Sequence, residues 1–279
     1  MQRQLFEQSL DDAIAEAHGI IRAADEEFGA ADHRFALFSG GDDSTVMLHL
    51  VANAVPTVHA VHINTGWGIE DTRQFVLRTA AQFMVPLLEL KTDPDWYAND
   101  VRRNGFPQPM THTVMYHNLK RQRLRELKAS VKRHRRDLVT YYTGERAYES
   151  ERRMGYGGTT ARRDDGATWV NPIHFFDVRL MNEYRERFDL PRNPVSATIH
   201  RSGECLCLAM MRPGEWDEVL LWYPDDPTVR RIVALQAELE DEGVVPPHKR
   251  RPCWQKIDPR RRYDPPGPLC VSCSERLFD

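Results

Sequence analysis

Cysteine is absent from the first 204 residues of this 279-residue chain, so no disulfide framework organises that part. Long apolar runs are missing too. None approaches the roughly 18 residues that a membrane helix requires, and no membrane partner is expected. Charge of one sign is not in excess: 38 Lys and Arg stand against 41 Asp and Glu, a formal net charge of −3. That balance argues against indiscriminate nucleic-acid binding. No internal repeat is found, which sets aside solenoids and propellers. The first residues, MQRQLFEQSLDDAIAEAHGIIRAADEEF, are amphipathic and acid-rich. They resemble neither a secretory signal nor a transit peptide, and a cytoplasmic protein is expected.

What is present is a chain long enough for one large domain or a domain with an appendage. A hydrophobic content of 41% and a mean hydropathy of −0.59 describe a soluble protein. After a leading helical segment, the pattern predicts strands over 34–38, 57–63, 85–91 and 138–142 and helices over 44–53 and 70–83. A long polar and helical stretch separates the last two strands. Alternating β and α predicts an α/β fold, a parallel twisted sheet with helices on both faces. The expected organisation is a helical segment 1–33, an α/β body 34–200 and a Cys/Arg/Pro-rich C-terminal extension 201–279.

One junction stands out. The apolar run Arg34-Phe35-Ala36-Leu37-Phe38 ends in Ser39-Gly40-Gly41-Asp42-Asp43-Ser44, which leads straight into Val46, Met47, Leu48, Leu50 and Val51. A strand-to-helix turn of this kind suits an anion, because glycines let a phosphate approach the main chain and the helix presents its positive dipole end. Ser39 and Ser44 add hydroxyl donors. An ordinary tight connection remains compatible with Gly-Gly alone. The segments Asn64-Thr65-Gly66 and 143–153 also follow strands, at the carboxyl ends where open α/β sheets build their sites.

These motifs, in this order, resemble the phosphoadenylyl-sulfate (PAPS) reductase family within the PP-loop group of adenine-nucleotide enzymes. The residues that carry the resemblance are Ser39 to Ser44, Asn64-Thr65-Gly66, Gly144-Glu145-Arg146 with Glu149, Ser150 and Arg153, and the segment from Asn171 to Cys207 with its Asn-Pro-Ile, Asn-Pro and late Arg-Ser-Gly pattern. The resemblance implies an adenine nucleotide across the carboxyl edge of the sheet, with the Ser39–Ser44 loop around its phosphates. Asp43 repels phosphate, so it either holds Mg²⁺ through oxygen ligands or caps the following helix. Asp42 departs from the lysine that many PP-loop enzymes carry there. Arg146, Arg152 and Arg153 are then the expected cations, since an arginine fork matches phosphate. Helical pairing of these arginines with Glu149 is the competing reading.

All five cysteines, Cys205, Cys207, Cys253, Cys270 and Cys273, fall in the last 75 residues. Clustered cysteines in a cytoplasmic chain point to metal or redox chemistry, and C-x-x-C with C-x-C supplies enough thiolates for a four-ligand site. The resemblance favours a [4Fe–4S] cluster, with Zn²⁺ as the alternative. Small buried hydrophobes are the remaining possibility for some of them.

Two features bear on the reaction. Sulfonucleotide reductases of this family carry a C-terminal Glu-Cys-Gly-x-His segment, and this chain instead closes with Cys-Val-Ser-Cys-Ser-Glu-Arg-Leu-Phe-Asp. The intact Ser-Gly-Gly-x-Asp-Ser loop likewise favours ATP with Mg²⁺. The expectation is an ATP pyrophosphatase that adenylates an oxygen for sulfur transfer, with Asp43, Ser44 and Arg146 in the chemistry. Residues 120–136 hold nine Lys or Arg against Glu126, and residues 249–262 hold seven against Asp258. If they flank the site, DNA or tRNA is the acceptor, with Trp254 and Tyr263 stacking on bases, and a sulfur-donor protein is a further partner. Solvated faces are the alternative for both runs. A divergent sulfonucleotide reductase and a nucleotide-binding sensor or assembly subunit without turnover are the competing functions.

Overall fold

A computed structural model describes residues 8–147, 159–211 and 214–241. Helix α1 (Leu10–Phe28) starts where the Ser9 hydroxyl accepts from Asp12 N and stops at Gly29, whose φ of 89° a side chain would resist. Ala13, Ala17, Ile21 and Ala24 recur at helical spacing, and these buried faces pack on the body of the fold. Strand β1 (His33–Leu37) then enters the sheet, followed by α2 (Asp42–Ala54), β2 (His59–Asn64), α3 (Glu70–Gln82) and β3 (Leu87–Lys91).

The long polar stretch is α4 (Pro94–Asn104), then α5 (His112–Tyr116), which passes through a π turn at His117–Arg121 into α6 (Gln122–Val131). Strand β4 (Val139–Tyr142) is buried at every residue, as a central strand covered on both faces must be. Two further strands, β5 (Ala161–Asp164) and β6 (Ala167–Val170), form a hairpin that the sequence reading did not include. Its turn is Asp165-Gly166, both with positive φ, 52° and 69°, which is the Asp-Gly signal for a two-residue hairpin. Helices α7 (Val178–Arg187), α8 (Pro194–Ile199), α9 (Glu215–Trp222) and α10 (Pro227–Asp241) complete the described chain.

The sheet order is β3-β2-β1-β4-β6-β5, parallel throughout except for the antiparallel β5 edge. One face of β1 is covered by α1, α2 and α7 through Ala36, Phe38, Val46, Leu50 and Leu180. The other is covered by α6 through Phe35, Val61, Leu124, Leu127 and Tyr141. A third apolar cluster joins Trp67, Tyr97 and Met115 to Val195, Leu206, Trp216 and Ile232. It fixes residues 195–239 against the loop that follows β2. No helix among the described residues is long and apolar enough to cross a membrane.

Candidate functional site

The Ser39–Ser44 loop lies at the carboxyl end of β1. Gly40 takes φ +79°, and a Cβ there would come within 2.9 Å of Val76 Cγ2, so only glycine fits. Ser44 Oγ lies 3.1 Å from Ser39 Oγ and donates to Gly41 O at 2.9 Å, while Thr45 Oγ1 donates to the same carbonyl at 2.9 Å. These bonds hold the loop in one shape. Gly41 is the N-cap of α2 and has no side chain to satisfy the first-turn N–H groups. A helix terminus left this way favours an anion.

The helix begins two residues earlier than expected, and Asp42 and Asp43 occupy its first turn. Asp43 therefore does not cap α2. Its carboxylate Oδ2 sits 2.9 Å from Arg146 Nε, with the two side chains 22% and 13% exposed. The metal carboxylate and the phosphate cation of the sequence reading thus hold one another. Asp42 is paired as well: its Oδ2 lies 2.7 Å from Arg185 Nη1, an arginine whose side chain is only 6% exposed. Nε and Nη2 of Arg185 find no acceptor. Gly144, after β4, presses against the start of α2, and a Cβ there would be 3.0 Å from Asp43 C and 3.1 Å from Ser44 N. The loop after β4 therefore lies directly on the loop after β1. Arg152 and Arg153, with Glu149, fall outside the described residues.

Asn64, Thr65 and Gly66 form a turn whose polar side chains are already engaged. Asn64 Oδ1 accepts from Gly66 N at 2.9 Å and Nδ2 donates to Glu89 Oε1 at 2.9 Å. The fully buried Thr65 accepts from Trp67 N at 3.2 Å and donates to Glu204 O. Arg73 grips the Glu89 carboxylate and, with Asn64, holds it below its ordinary range. The main chain of Gly66, with φ +70°, is engaged as well, since its N–H donates to Asn64 Oδ1 and its carbonyl accepts from Arg231 at 3.1 Å.

Cys205 and Cys207 sit beside this turn, since Leu206 N donates to Trp67 O. The two thiols share a hydrogen bond, which, with further donation from His112, draws Cys207 below the ordinary thiol range and pushes Cys205 above it. Lys120 stands next to them, 2.6 Å from Glu204 Oε2. Burial lowers its pKa, but Glu204 and the two sulfurs outweigh that and keep the ammonium charged. Among the described residues no group of three or more His, Cys, Asp or Glu is placed to hold a metal ion. Cys253, Cys270 and Cys273, and the basic run 249–262 with Trp254 and Tyr263, lie outside the described residues.

Lys132 aside, the basic run 120–136 divides in two. Lys120, Arg121, Arg123, Arg125 and Lys128 each face an acid: Glu204, Asp164, Glu126 or Asp165. Arg133, Arg135 and Arg136 are exposed in the connection from α6 to β4. That connection precedes β4, so it lies at the amino edge of the sheet. The Ser39–Ser44 loop lies at the carboxyl edge, one five-residue strand away, or about 17 Å at ~3.3 Å per residue. These three arginines do not flank the loop.

Three residues of the site carried no role in the sequence reading. Asn193, 1% exposed, donates to Gly40 O at 2.9 Å and Ser202 O at 3.1 Å. His174, 7% exposed, leaves both ring nitrogens without a partner after β6, and burial lowers its pKa. Arg185 had a readable sign, because its spacing from Leu180, Met181 and Tyr184 puts it on the buried stripe of α7.

Comparison with known proteins bears on the fold and on the family. Among solved structures the fold is similar to NMN synthetase from Francisella tularensis, with TM-score 0.51 and 17% identity, covering 86% of this chain and 98% of that one. PAPS reductase from Candida auris in a phosphate complex gives TM-score 0.49 and 14% identity over 71% of this chain and 94% of that one. FMN adenylyltransferase from Candida glabrata with FMN and an ATP analogue gives 0.45 and 13% over 71% and 65%. No curated protein matches. The sequence profile of the phosphoadenosine phosphosulfate reductase domain matches residues 33–204, more than half of the chain, and includes the loops after β1, β2 and β4. The chain belongs to the phosphoadenosine phosphosulfate reductase domain family.

Proposed function

We propose that this chain binds ATP with Mg²⁺ at the Ser39–Ser44 loop, cleaves it at the α-phosphate and adenylates an acceptor oxygen for sulfur transfer. The observation that carries the reading is the uncapped first turn of α2, set beside the Ser39 and Ser44 hydroxyls and faced by Arg146. Main-chain N–H groups and hydroxyls fixed before the reaction stabilise charge as it grows on phosphate oxygens, an effect of several kcal/mol when one donor is lost. Arg146 offers guanidinium donors to the same oxygens, and Asp43 offers a hard oxygen ligand to the metal. Bound Mg²⁺ supplies charge neutralisation across adjacent phosphates. The acceptor oxygen attacks the α-phosphorus, the bond to the bridging oxygen breaks and pyrophosphate leaves. A sulfur nucleophile then displaces AMP from the adenylated carbon.

Cys205 and Cys207 offer two thiols side by side, a fitting half of a [4Fe–4S] or Zn²⁺ site. Further thiolates have to come from Cys253, Cys270 and Cys273. Nucleic acid as acceptor rests on the 249–262 run, because the free arginines of 133–136 face the other edge. α-Labelled and γ-labelled ATP test the reading: pyrophosphate release is expected. Release of adenosine bisphosphate from a sulfonucleotide instead identifies a reductase, and neither product identifies a binding protein without turnover. Anaerobic purification followed by iron, sulfide and zinc analysis, repeated on Cys207→Ser and Cys270→Ser, tests the cysteines. Full metal content in both variants removes the proposed metal site.

A further inference from the structure

We propose that Arg185, reaching over from α7, is a phosphoryl-binding residue of the Ser39–Ser44 loop, and that Asp42 holds its guanidinium until an oligophosphate takes it over. This adds a ligand-binding residue to the site and rests on the reading of that site as a nucleotide loop.

Position comes first. Helix α7 lies on α2: Tyr184 Oη is 2.9 Å from His49 Nδ1, and the adjacent Arg185 reaches Asp42 at the start of the same helix. His49 and Asp42 stand about two turns apart, or ~10 Å at ~1.5 Å rise per residue. The two side chains therefore splay along α2, and the Arg185 guanidinium ends at its amino terminus. The main chain keeps it there. Arg185 O accepts from Leu190 N at 3.0 Å, and shortly after, Asn193 donates to Gly40 O at 2.9 Å. The segment that carries the arginine is thus fastened to the loop itself.

The chemistry of the arginine points to an anion. Its side chain is 6% exposed, and Nη1 meets Asp42 Oδ2 at 2.7 Å, while Nε and Nη2 have no acceptor among the described residues. A guanidinium shielded from water with idle donors is costly unless an anion takes them up. Asp42 differs from its partner: it is 43% exposed in the first turn of α2, so water can receive the carboxylate when it turns outward. A phosphoryl group then meets the uncapped N–H groups of that turn together with the end of the guanidinium, where Nη1 and Nη2 lie side by side. Two of its oxygens match that end, which the carboxylate now engages through Nη1 alone. The exchange adds a charge-assisted hydrogen bond and moves one negative charge away from the loop. Cations thus reach the loop from two elements, Arg146 after β4 and Arg185 on α7.

Calorimetry with inorganic pyrophosphate in excess EDTA, on the full-length chain, tests the assignment. Asp42→Asn removes the competing charge at a half-exposed position and should bind pyrophosphate about 10-fold tighter than the wild type, the size of one charge-assisted contact. Unchanged or weaker binding overturns the exchange. Arg185→Met, its fold checked by circular dichroism, should bind about 10-fold more weakly, and wild-type affinity there overturns the assignment. The double variant is decisive, because removing any acid near the loop favours an anion. If Asp42 acts by occupying Arg185, its replacement by Asn should gain about 2-fold or less in the Arg185→Met background. An equal gain in both backgrounds shows that Asp42 acts through its own charge, and the assignment fails. Where Arg185→Met does not fold, Arg185→Lys takes its place: an ammonium offers no fork, so affinity should fall about 3-fold, and full affinity overturns the assignment. A wild-type chain that binds no pyrophosphate, even with Mg²⁺ restored, overturns the nucleotide-loop reading as well.

Discussion

Asn193→Ala removes the side chain that fastens Gly40 of the phosphate loop to the segment before Cys205. Its amide donates to Gly40 O at 2.9 Å, to Ser202 O at 3.1 Å and to Thr72 Oγ1 at 3.3 Å, and its Oδ1 accepts from Val195 N at 3.0 Å as the N-cap of α8. Two N–H donors serve three acceptors, so two bonds of about 1 kcal/mol each are lost. The lost cap costs about 1 kcal/mol more. Because Asn193 is 1% exposed, water does not replace it, and the stranded Gly40 carbonyl adds about 1–3 kcal/mol. The expected loss is about 4–6 kcal/mol, a large share of the ~5–15 kcal/mol that holds a domain together. Urea unfolding should show it as a lower midpoint with an unchanged slope. Pyrophosphate affinity should fall too, since the Gly40 peptide loses its anchor. Asn193→Asp sharpens the test. Its oxygen still caps α8, but a carboxylate facing two carbonyl oxygens favours its protonated form, so the folded-state pKa rises. Stability should then be greatest below the ordinary aspartate pKa and fall as pH rises, opposite to a paired carboxylate. A loss below about 1 kcal/mol for Asn193→Ala would refute the reasoning, because it would mean that the Gly40 carbonyl finds another donor.

Three further predictions concern other parts of the site and its support. Gly144→Ala places a Cβ 3.0 Å from Asp43 C and 3.1 Å from Ser44 N, so two backbones must part by a few tenths of an ångström; pyrophosphate affinity should drop about 10-fold, and calorimetry showing no change dismisses the close approach as unimportant. His49, next to Tyr184 Oη at 2.9 Å, has its pKa lowered by burial, so the unfolded chain takes up its proton first. Its contribution is complete above the ordinary value of 6.5 and is lost as pH falls below it. The melting temperature should decline from pH 7.5 to 5.5 in the wild type and less in His49→Gln, and equal declines would exclude His49 as a source. Replacing Arg133, Arg135 and Arg136 together with alanine should leave pyrophosphate release unaltered, because they lie at the amino edge of the sheet. A large fall in turnover would contradict that placement.

The α/β order from β1 to β4 was readable in the amino-acid pattern. Each strand from β1 to β4 is a short apolar run, α2 and α3 follow with their own apolar faces, and parallel pairing with helices on both sides is the arrangement that buries all of them. The strand-to-helix turn at Ser39–Ser44 was legible for the same local reason: glycines, hydroxyls and a helix start occur within six residues. Hairpin β5–β6 was also written locally, in Asp165-Gly166, although its first strand, Ala161-Arg162-Arg163-Asp164, carries too few apolar residues to read as one. Pairing across the chain was not legible. That Asp43 meets Arg146, Asp42 meets Arg185 and Asn193 meets Gly40 depends on which loops the sheet order brings to one edge, over separations that local pattern does not encode. Charge runs misled for a related reason. Residues 120–136 are one basic stretch in the sequence, but α6 carries it from the carboxyl edge to the amino edge: Lys120 pairs with Glu204, Arg123 with Glu126, and Arg121, Arg125 and Lys128 with the Asp164-Asp165 turn, while Arg133, Arg135 and Arg136 face solvent. A side chain's type is a local property, but its partner is set only when the strands are laid side by side.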